Sequence, residues 1–285
     1  MQENSLLTTI MPVALGIIML GLGLTLSLSD FKRVLQYPKA ILIGLFCQMI
    51  ILPLVCFGIA KVFQLSPELA VGLMLLAASP GGPTANLYSH LSKGDVALNI
   101  TLTAINSFLT LFTLPLIVEL SLSYFHTANE IDMPFNKIIE VFLIVLIPVS
   151  IGMLINSRMN EFARKMDKPV KILSAIFLVL VIAGAVLKEK AHIAEYFEQV
   201  GLAALTFNLL SMAIGYFIPR ILKIRKAESI AIGMEIGIHN GTLAIFIALN
   251  TLGNSTMSIP PAIYSLIMFF TAAIFGFLVN TRRQE

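Results

Sequence analysis

Glu235 is the residue of this chain best suited to do chemistry, because it is an acid inside an apolar stretch at about residues 229–252. A carboxylate inside a membrane span is costly unless it is paired, protonated or bound to a cation. His239 follows four residues later, without the Cys or second His that a zinc or haem site would need. We expect Glu235 to bind a cation or carry a proton; a neutral, hydrogen-bonded acid is the structural alternative.

A second polar feature is the row Asn99, Thr103 and Asn106, which lies in another apolar stretch. The i, i+4, i+7 spacing places these side chains on one face of a helix. Their oxygens suit sodium or potassium better than a transition metal. Hydrogen bonding between membrane helices uses the same residue types, and it would equally explain the isolated Gln48.

Two apolar stretches are interrupted by glycine and proline. Residues 80–83 read Pro-Gly-Gly-Pro, and residues 239–241 read His-Asn-Gly. A helix broken inside a membrane frees backbone groups that lipid cannot satisfy, so such breaks persist only where they line protein or a cavity. One break in each half of the chain is typical of the binding site of a secondary transporter.

The breaks also favour an anionic ligand. The half-helices that resume near Thr84 and Thr242 have free N–H groups and positive dipole ends, which would receive a carboxylate. Gly241 allows close backbone approach, and Asn240 is the side chain that we expect to contact the substrate. A cation site beside an anion site is what a cation-coupled carrier of organic anions requires.

The composition sets the fold class. Hydrophobic residues make up 57% of the chain and charged residues 12%, against about 25% charged in soluble domains. Nine apolar stretches are near the length that spans a bilayer, which predicts a single-domain, all-α polytopic membrane protein. They lie near residues 8–28, 40–62, 68–91, 97–122, 138–156, 171–187, 200–222, 229–252 and 261–280.

The basic residues predict the orientation. With the N-terminus outside and nine spans, 15 of the 19 Lys and Arg fall on the inner side and four, including Lys190, outside. Cytoplasmic loops collect Lys and Arg, so we expect a multi-pass protein of the inner (cytoplasmic) membrane with its C-terminus in the cytoplasm. Lipid would surround such a protein, a nucleic-acid partner is not expected, and the oligomeric state is left open, with a monomer plausible.

The motifs together resemble the bile acid:sodium symporter family, in the form of a bacterial homologue. The resemblance rests on residues 78–86 (Ala-Ser-Pro-Gly-Gly-Pro-Thr-Ala-Asn), 235–240 (Glu-Ile-Gly-Ile-His-Asn), 15–26 and 94–98. It implies an inverted repeat with two crossing broken helices. The spans near 8–28, 138–156 and 171–187 would form a panel domain, and the other six would form a core domain.

The resemblance also implies two sodium sites. The first would use Ala85, Asn86, Asn99, Thr103 and Glu235, where Ala85 replaces a serine and Asn99 replaces a hydroxyl. The second would use Gln48, Glu235, His239 and the backbone of Ile236 and Ile238. Histidine stands there in place of glutamine, and a nitrogen ligand suits sodium poorly. We therefore expect one sodium ion and leave the second open.

The substrate end departs from the family pattern. Pro83 replaces a threonine, and Met268 and Phe269 replace a His-Asn pair. The implied substrate is an organic anion, either bile-acid-like or a small carboxylate such as pantoate. Its implied contacts are Pro83, Thr84, Asn240, Gly241, Met268 and Phe269.

These features predict a sodium-coupled symporter of an organic anion that works by alternating access. A proton-coupled carrier of the same fold, using Glu235 and His239, is the nearest alternative. A channel is a further possibility, although two broken helices suit alternating access better. An intramembrane enzyme is disfavoured because the sequence has no nucleophile–base pair, metal cluster or cofactor motif beside these residues.

Overall fold

The computed structural model describes residues 3–125, 135–188 and 193–281, and in these ranges the regular structure is helical, without a strand. The predicted all-α fold is therefore confirmed. The α-helices are α1 (Glu3–Thr25), α2 (Leu28–Lys32), α3 (Pro38–Phe46), α4 (Leu52–Val62), α5 (Pro67–Ala78), α6 (Pro83–Leu91), α7 (Val96–Tyr124), α8 (Phe135–Arg158), α9 (Asn160–Lys188), α10 (Ile193–Ile221), α11 (Lys226–Gly237), α12 (Gly241–Phe246) and α13 (Ile259–Thr281).

Several helices in the described ranges can cross a bilayer. Five are long and apolar enough, and a sixth span results if α1 and α2, which meet at a bend of 65°, are taken together. This makes the chain a multi-pass membrane protein, while the count of nine spans stays a prediction. The five are Pro38–Val62, Val96–Tyr124, Ile139–Arg158, Glu195–Ile221 and Thr256–Asn280.

Both interruptions fall where the glycines and prolines place them. The first break, residues 79–82, separates α5 from α6, and the second break, residues 238–240, separates α11 from α12. α12 continues as a π-helical turn, Ile247–Thr251, and a similar turn, Cys47–Ile51, joins α3 to α4. Single π-helical turns inside membrane helices often mark functional positions.

The helices pack in two groups. α1 lies along α8 and α9, whereas α11 is buried among α6, α7 and α10. The contact of α1 with α8 is close: a Cβ added at Gly23 would lie 2.2 Å from the Val149 carbonyl oxygen, and one at Gly152 would lie 2.4 Å from that of Leu20. Small residues permit such close approach in membranes. The division into panel and core domains stays a prediction.

Two helices extend beyond the apolar stretches that predicted them. α9 begins at Asn160 and α10 at Ile193. The beginning of each helix contains polar residues, so the apolar stretch that predicted it starts later than the helix does. The predicted outer Lys190 and the predicted inner Arg282 and Arg283 lie outside the described residues.

Candidate functional site

The two breaks meet and satisfy each other's backbone groups. Gly81 and His239 form an isolated antiparallel bridge, and the Asn240 N–H donates to the Pro80 carbonyl oxygen at 2.8 Å. Groups freed by breaking a membrane helix need such partners. The structure thus places Glu235, one turn before the second break, against the backbone of the first.

Glu235 is fully buried and faces α7. Its Oε2 accepts from the Thr103 hydroxyl at 2.6 Å, and its Oε1 accepts from Asn106 Nδ2 at 3.0 Å. A Cβ added at Gly81 would lie 2.5 Å from the carboxylate carbon, so only glycine fits opposite this acid. No basic side chain within the described ranges forms an ion pair with Glu235.

Among the described residues, three buried amide oxygens on the helices around this acid have no hydrogen-bond donor. They are Asn99 Oδ1 and Asn106 Oδ1 on α7 and Asn86 Oδ1 on α6. Asn99 holds its position by donating from Nδ2 to the Ala231 carbonyl oxygen at 2.7 Å. Buried polar atoms normally have partners, and unpartnered oxygens beside a carboxylate suit a hard cation such as sodium.

Of the first predicted sodium set, the structure shows one direct side-chain contact, and the set as a whole stays a prediction. Thr103 contacts Glu235 directly, and its hydroxyl also lies 3.0 Å from the Asn99 carbonyl oxygen. Ala85 is fully buried and has no side-chain oxygen to offer. Asn106 belongs to the polar row read from the sequence, but the family resemblance did not include it in the sodium set.

The second predicted sodium set is linked by hydrogen bonds to the first break. Gln48 Nε2 donates to the Ser79 carbonyl oxygen at 3.0 Å, and His239 Nδ1 lies 3.1 Å from the same oxygen. A carbonyl oxygen only accepts, so His239 carries its proton on Nδ1 and leaves Nε2 with a lone pair. His239 Nε2 and Gln48 Oε1 are buried without a hydrogen-bond partner among the described residues.

His239 faces away from Glu235 despite the four-residue spacing, because α11 ends at Gly237. The imidazole stacks on Phe207, with ring centroids 5.7 Å apart, and lies 5.4 Å from the Tyr264 ring. The side chains of Ile236 and Ile238 are buried in the apolar core, which leaves only their backbone to serve a cation.

The predicted substrate residues divide among three environments. Pro83 and Thr84 form the first turn of α6, and Pro83 lines a large cavity. Asn240 caps α12, because its Oδ1 accepts from the Leu243 N–H at 3.1 Å.

The other predicted substrate residues pack within the helices. A Cβ added at Gly241 would overlap the Ser265 hydroxyl. On α13, Met268 is buried, and Phe269 stacks on Tyr88 at 6.3 Å. The described lining of the large cavity includes none of Asn240, Gly241, Met268 and Phe269.

The large cavity, of about 610 Å³, lies between α6 and α7 on one side and the ends of α1, α8 and α9 on the other. A small cavity of about 20 Å³ lies on the other side of the breaks, between Pro80 and Asn240 and the first half of α8. The larger of these two cavities therefore lies on the side where α8 ends. The polar residues of the large cavity are Thr25, Asn86, His90, Asn156, Asn160 and Arg164.

Sequence reasoning identified only Asn86 among these polar cavity residues. The sequence does contain a pattern that could have identified three of the others: Asn156, Asn160 and Arg164 follow one another at intervals of four residues, which is typical of one helix face. Their positions at a helix end made them resemble ordinary loop residues.

Comparison with known proteins agrees with this architecture. Residues 12–196 match the Sodium Bile acid symporter family. The chain is 30% identical over 255 residues to the chloroplastic probable sodium/metabolite cotransporter BASS1 of Arabidopsis thaliana, covering 89% of this chain and 62% of that protein. It is also similar to the sodium-dependent transporter YocS of Bacillus subtilis (29% over 255 residues; 89% and 78%) and to the ileal sodium/bile acid cotransporter of Oryctolagus cuniculus (27% over 282 residues; 97% and 81%).

Proposed function

Because the chain belongs to the sodium bile acid symporter family, we propose that it is a symporter that uses the sodium gradient to import an organic anion. Relatives named as sodium-dependent transporters and cotransporters support sodium as the coupling ion. An enzymatic role has no support from the family, whose members are transporters. The chain spans only 62% of the chloroplast relative, so the substrates of that protein are not transferred to it.

The observation that carries the proposal is the environment of Glu235. A fully buried carboxylate at the meeting point of two broken helices has no basic partner among the described residues, and amide oxygens on α6 and α7 lack donors. A cation supplies the missing charge and satisfies these oxygens. We assign one sodium ion to Glu235, Thr103, Asn99, Asn106 and Asn86.

In the second predicted set, hydrogen bonds from Gln48 and His239 already position the backbone of the first break without a sodium ion. The Ser79 carbonyl oxygen, with two lone pairs, already accepts from Gln48 Nε2 and His239 Nδ1. We therefore propose that these two hydrogen bonds stabilise the first break in place of a second ion, and that one sodium ion accompanies each transport cycle.

The two unequal cavities support alternating access. The side with the larger cavity carries the basic end of α8 and the basic start of α9, and such segments face the cytoplasm. We propose that the structure is the inward-facing state in the cytoplasmic membrane, with the N-terminus outside. Movement of α1, α8 and α9, as the panel, against the remaining helices, as the core, would close this side and open the other.

One feature favours the proton-coupled alternative. His239 Nε2 is a buried lone pair without a partner in the described structure, and it could accept a proton during the cycle. Among the titratable side chains near the second break, Tyr264 contacts the His239 ring.

Uptake into proteoliposomes separates the two mechanisms. Radiolabelled taurocholate and pantoate serve as probes, with an inward sodium gradient at equal internal and external pH or an inward proton gradient without sodium. We expect uptake of an anion only with the sodium gradient, and Glu235→Gln should abolish it. Uptake driven by protons alone and lost in His239→Gln would replace this proposal by the proton-coupled one.

A further inference from the structure

The helices α10 and α13 lie side by side and run in the same direction. The centroids of the Phe207 and Tyr264 rings are 5.7 Å apart, and those of the Tyr216 and Phe275 rings are also 5.7 Å apart. Residue numbers rise along both helices between these two contacts, so the helices are parallel. Both belong to spans that are long and apolar enough to cross a bilayer, and their C-terminal ends therefore lie at the same membrane surface.

A groove of about 270 Å³ runs between these two helices, and we call it the α10–α13 groove. Its floor includes Met212, which is buried, and Ala213, whose side chain is a single methyl group. Its rims are exposed apolar side chains of both helices, namely Leu209, Phe217, Ile274 and Leu278.

The length of the groove matches one leaflet of a membrane. Leu209 and Phe217 are eight residues apart, so the groove follows α10 for about 12 Å. Half of the hydrocarbon core of a bilayer is about 15 Å thick. An apolar groove of this length, on the outside of two membrane spans, is complementary to a single acyl chain.

The groove leads to a basic turn at the end of α10. Arg220 follows Phe217 by three residues, and the Lys223 N–H donates to the Arg220 carbonyl oxygen at 3.0 Å, which closes the helix. Arg220 and Lys223 are both exposed. Arg220 Nη1 donates to the Ile224 carbonyl oxygen at 2.8 Å, so one hydrogen bond of the guanidinium fixes the position of the charge.

The charges around this turn favour an anion. Lys39 Nζ donates to the Leu222 carbonyl oxygen at 2.7 Å and brings a third basic side chain to the turn. Glu228, the acid that follows along the chain, pairs with Arg225. Basic side chains beside a membrane span attract the negatively charged head groups of lipids.

We infer that the α10–α13 groove binds one anionic phospholipid. One acyl chain lies between the rims of the groove, and the phosphate lies against Arg220 and Lys223. The site uses none of the residues assigned to sodium or to the transported anion, so the inference does not depend on the proposed function.

The alternative is ordinary contact with bulk lipid. Lipid tails are as apolar as leucine side chains, so an apolar surface alone does not select one lipid. Phosphatidylglycerol and phosphatidylcholine with the same acyl chains distinguish the two cases, because the choline group cancels the charge of the phosphate. Bulk contact predicts equal binding of both lipids.

Native mass spectrometry of the detergent-purified full chain, titrated with either lipid, tests the inference. We expect the first phosphatidylglycerol to bind about tenfold more tightly than phosphatidylcholine. The double variant Arg220→Gln, Lys223→Gln should lose about this factor for phosphatidylglycerol and keep its affinity for phosphatidylcholine. Ala213→Phe, which fills the groove, should weaken the binding of both lipids.

Lys32→Gln is the matched control, because it removes an exposed basic residue from the end of α2 instead. It should bind phosphatidylglycerol as the unsubstituted protein does. Glycerol 3-phosphate, which has the phosphate but no acyl chain, should not compete at the same concentration. Thermal unfolding without added lipid shows whether each variant is folded, and Lys223→Gln alone, at an exposed position, replaces the double variant if that protein does not fold.

Four results would overturn the inference. They are equal affinity of the unsubstituted protein for both lipids, unchanged phosphatidylglycerol binding in the variants of the basic turn, competition by glycerol 3-phosphate, and a mass of two chains without lipid. The last result would show that a second copy of the chain covers the groove.

Discussion

Replacing Glu235 with glutamine should remove sodium binding while preserving the fold. Glutamine has the same shape, and its Oε1 can accept from Asn106 as the carboxylate does. Its Nε2 can donate to Thr103, whose hydroxyl then donates to the Asn99 carbonyl oxygen 3.0 Å away. Both of these side-chain hydrogen bonds are thus retained, and the negative charge is lost. Melting in potassium should therefore be unchanged or higher, because a buried charge has been removed.

The size of the sodium effect follows from binding linkage. A ligand at a concentration about 100 times its dissociation constant stabilises the folded state by about 2.7 kcal/mol. In a chain of this size about 1 kcal/mol changes the melting temperature by about 2–4 °C. Saturating sodium should therefore raise the melting temperature of the unsubstituted protein by about 5–10 °C above its value in potassium, and that of Glu235→Gln by close to zero.

Thermal unfolding of the detergent-purified protein, titrated with sodium chloride at constant ionic strength, measures this difference. Glu228→Gln is the control, because Glu228 is a buried acid of the same helix that pairs with Arg225 instead of lying at the breaks. It should keep the full sodium shift. A sodium shift in Glu235→Gln as large as that of the unsubstituted protein would refute the assignment of the ion to this carboxylate.

Three further predictions test the site and its supports. Thr103→Val removes the hydroxyl that contacts Glu235 and should raise the sodium concentration at half-maximal stabilisation about tenfold; an unchanged midpoint would exclude Thr103 as a ligand. Gly23→Ala should lower the free energy of unfolding by about 1–3 kcal/mol through overpacking. Gly58→Ala, whose Cβ meets no atom within 4 Å, is its control and should raise the free energy of unfolding by about 0.5–1 kcal/mol. Equal melting temperatures of the two variants would contradict the close α1–α8 contact. Asp95→Ala removes the N-cap of α7 and should cost about 1 kcal/mol, which Asp95→Asn should restore.

The sequence was sufficient to predict the features that depend on composition and on local chemistry. Apolar stretches predicted the membrane helices, and Pro-Gly-Gly-Pro and His-Asn-Gly predicted both breaks. Glu235 and the row of Asn99, Thr103 and Asn106 could be grouped because buried oxygen atoms in an apolar environment need partners.

Features that depend on packing between distant helices could not be predicted in this way. The sequence could not show that α11 ends between Glu235 and His239 and that the imidazole stacks on Phe207. Nothing in the sequence indicated that Asn240 Oδ1 caps α12; its contact with the substrate stays a prediction. Arg164 looked like any basic residue beside a membrane, because only the arrangement of α1, α6 and α9 creates the cavity that it lines.

The contact between the breaks has a consequence for how the chain is made. Ser79 and His239, whose carbonyl oxygen and imidazole are in contact, are 160 residues apart in the sequence. The Pro80 carbonyl oxygen likewise has no partner from the second break until Asn240 has been synthesised. At a synthesis rate of about 5–20 residues per second, the ribosome needs about 8–30 s to supply the second break after the first. During this time α5 and α6 lie in the bilayer with an unfinished break, so the early half of the nascent chain should be a preferred target for insertases and for membrane proteases.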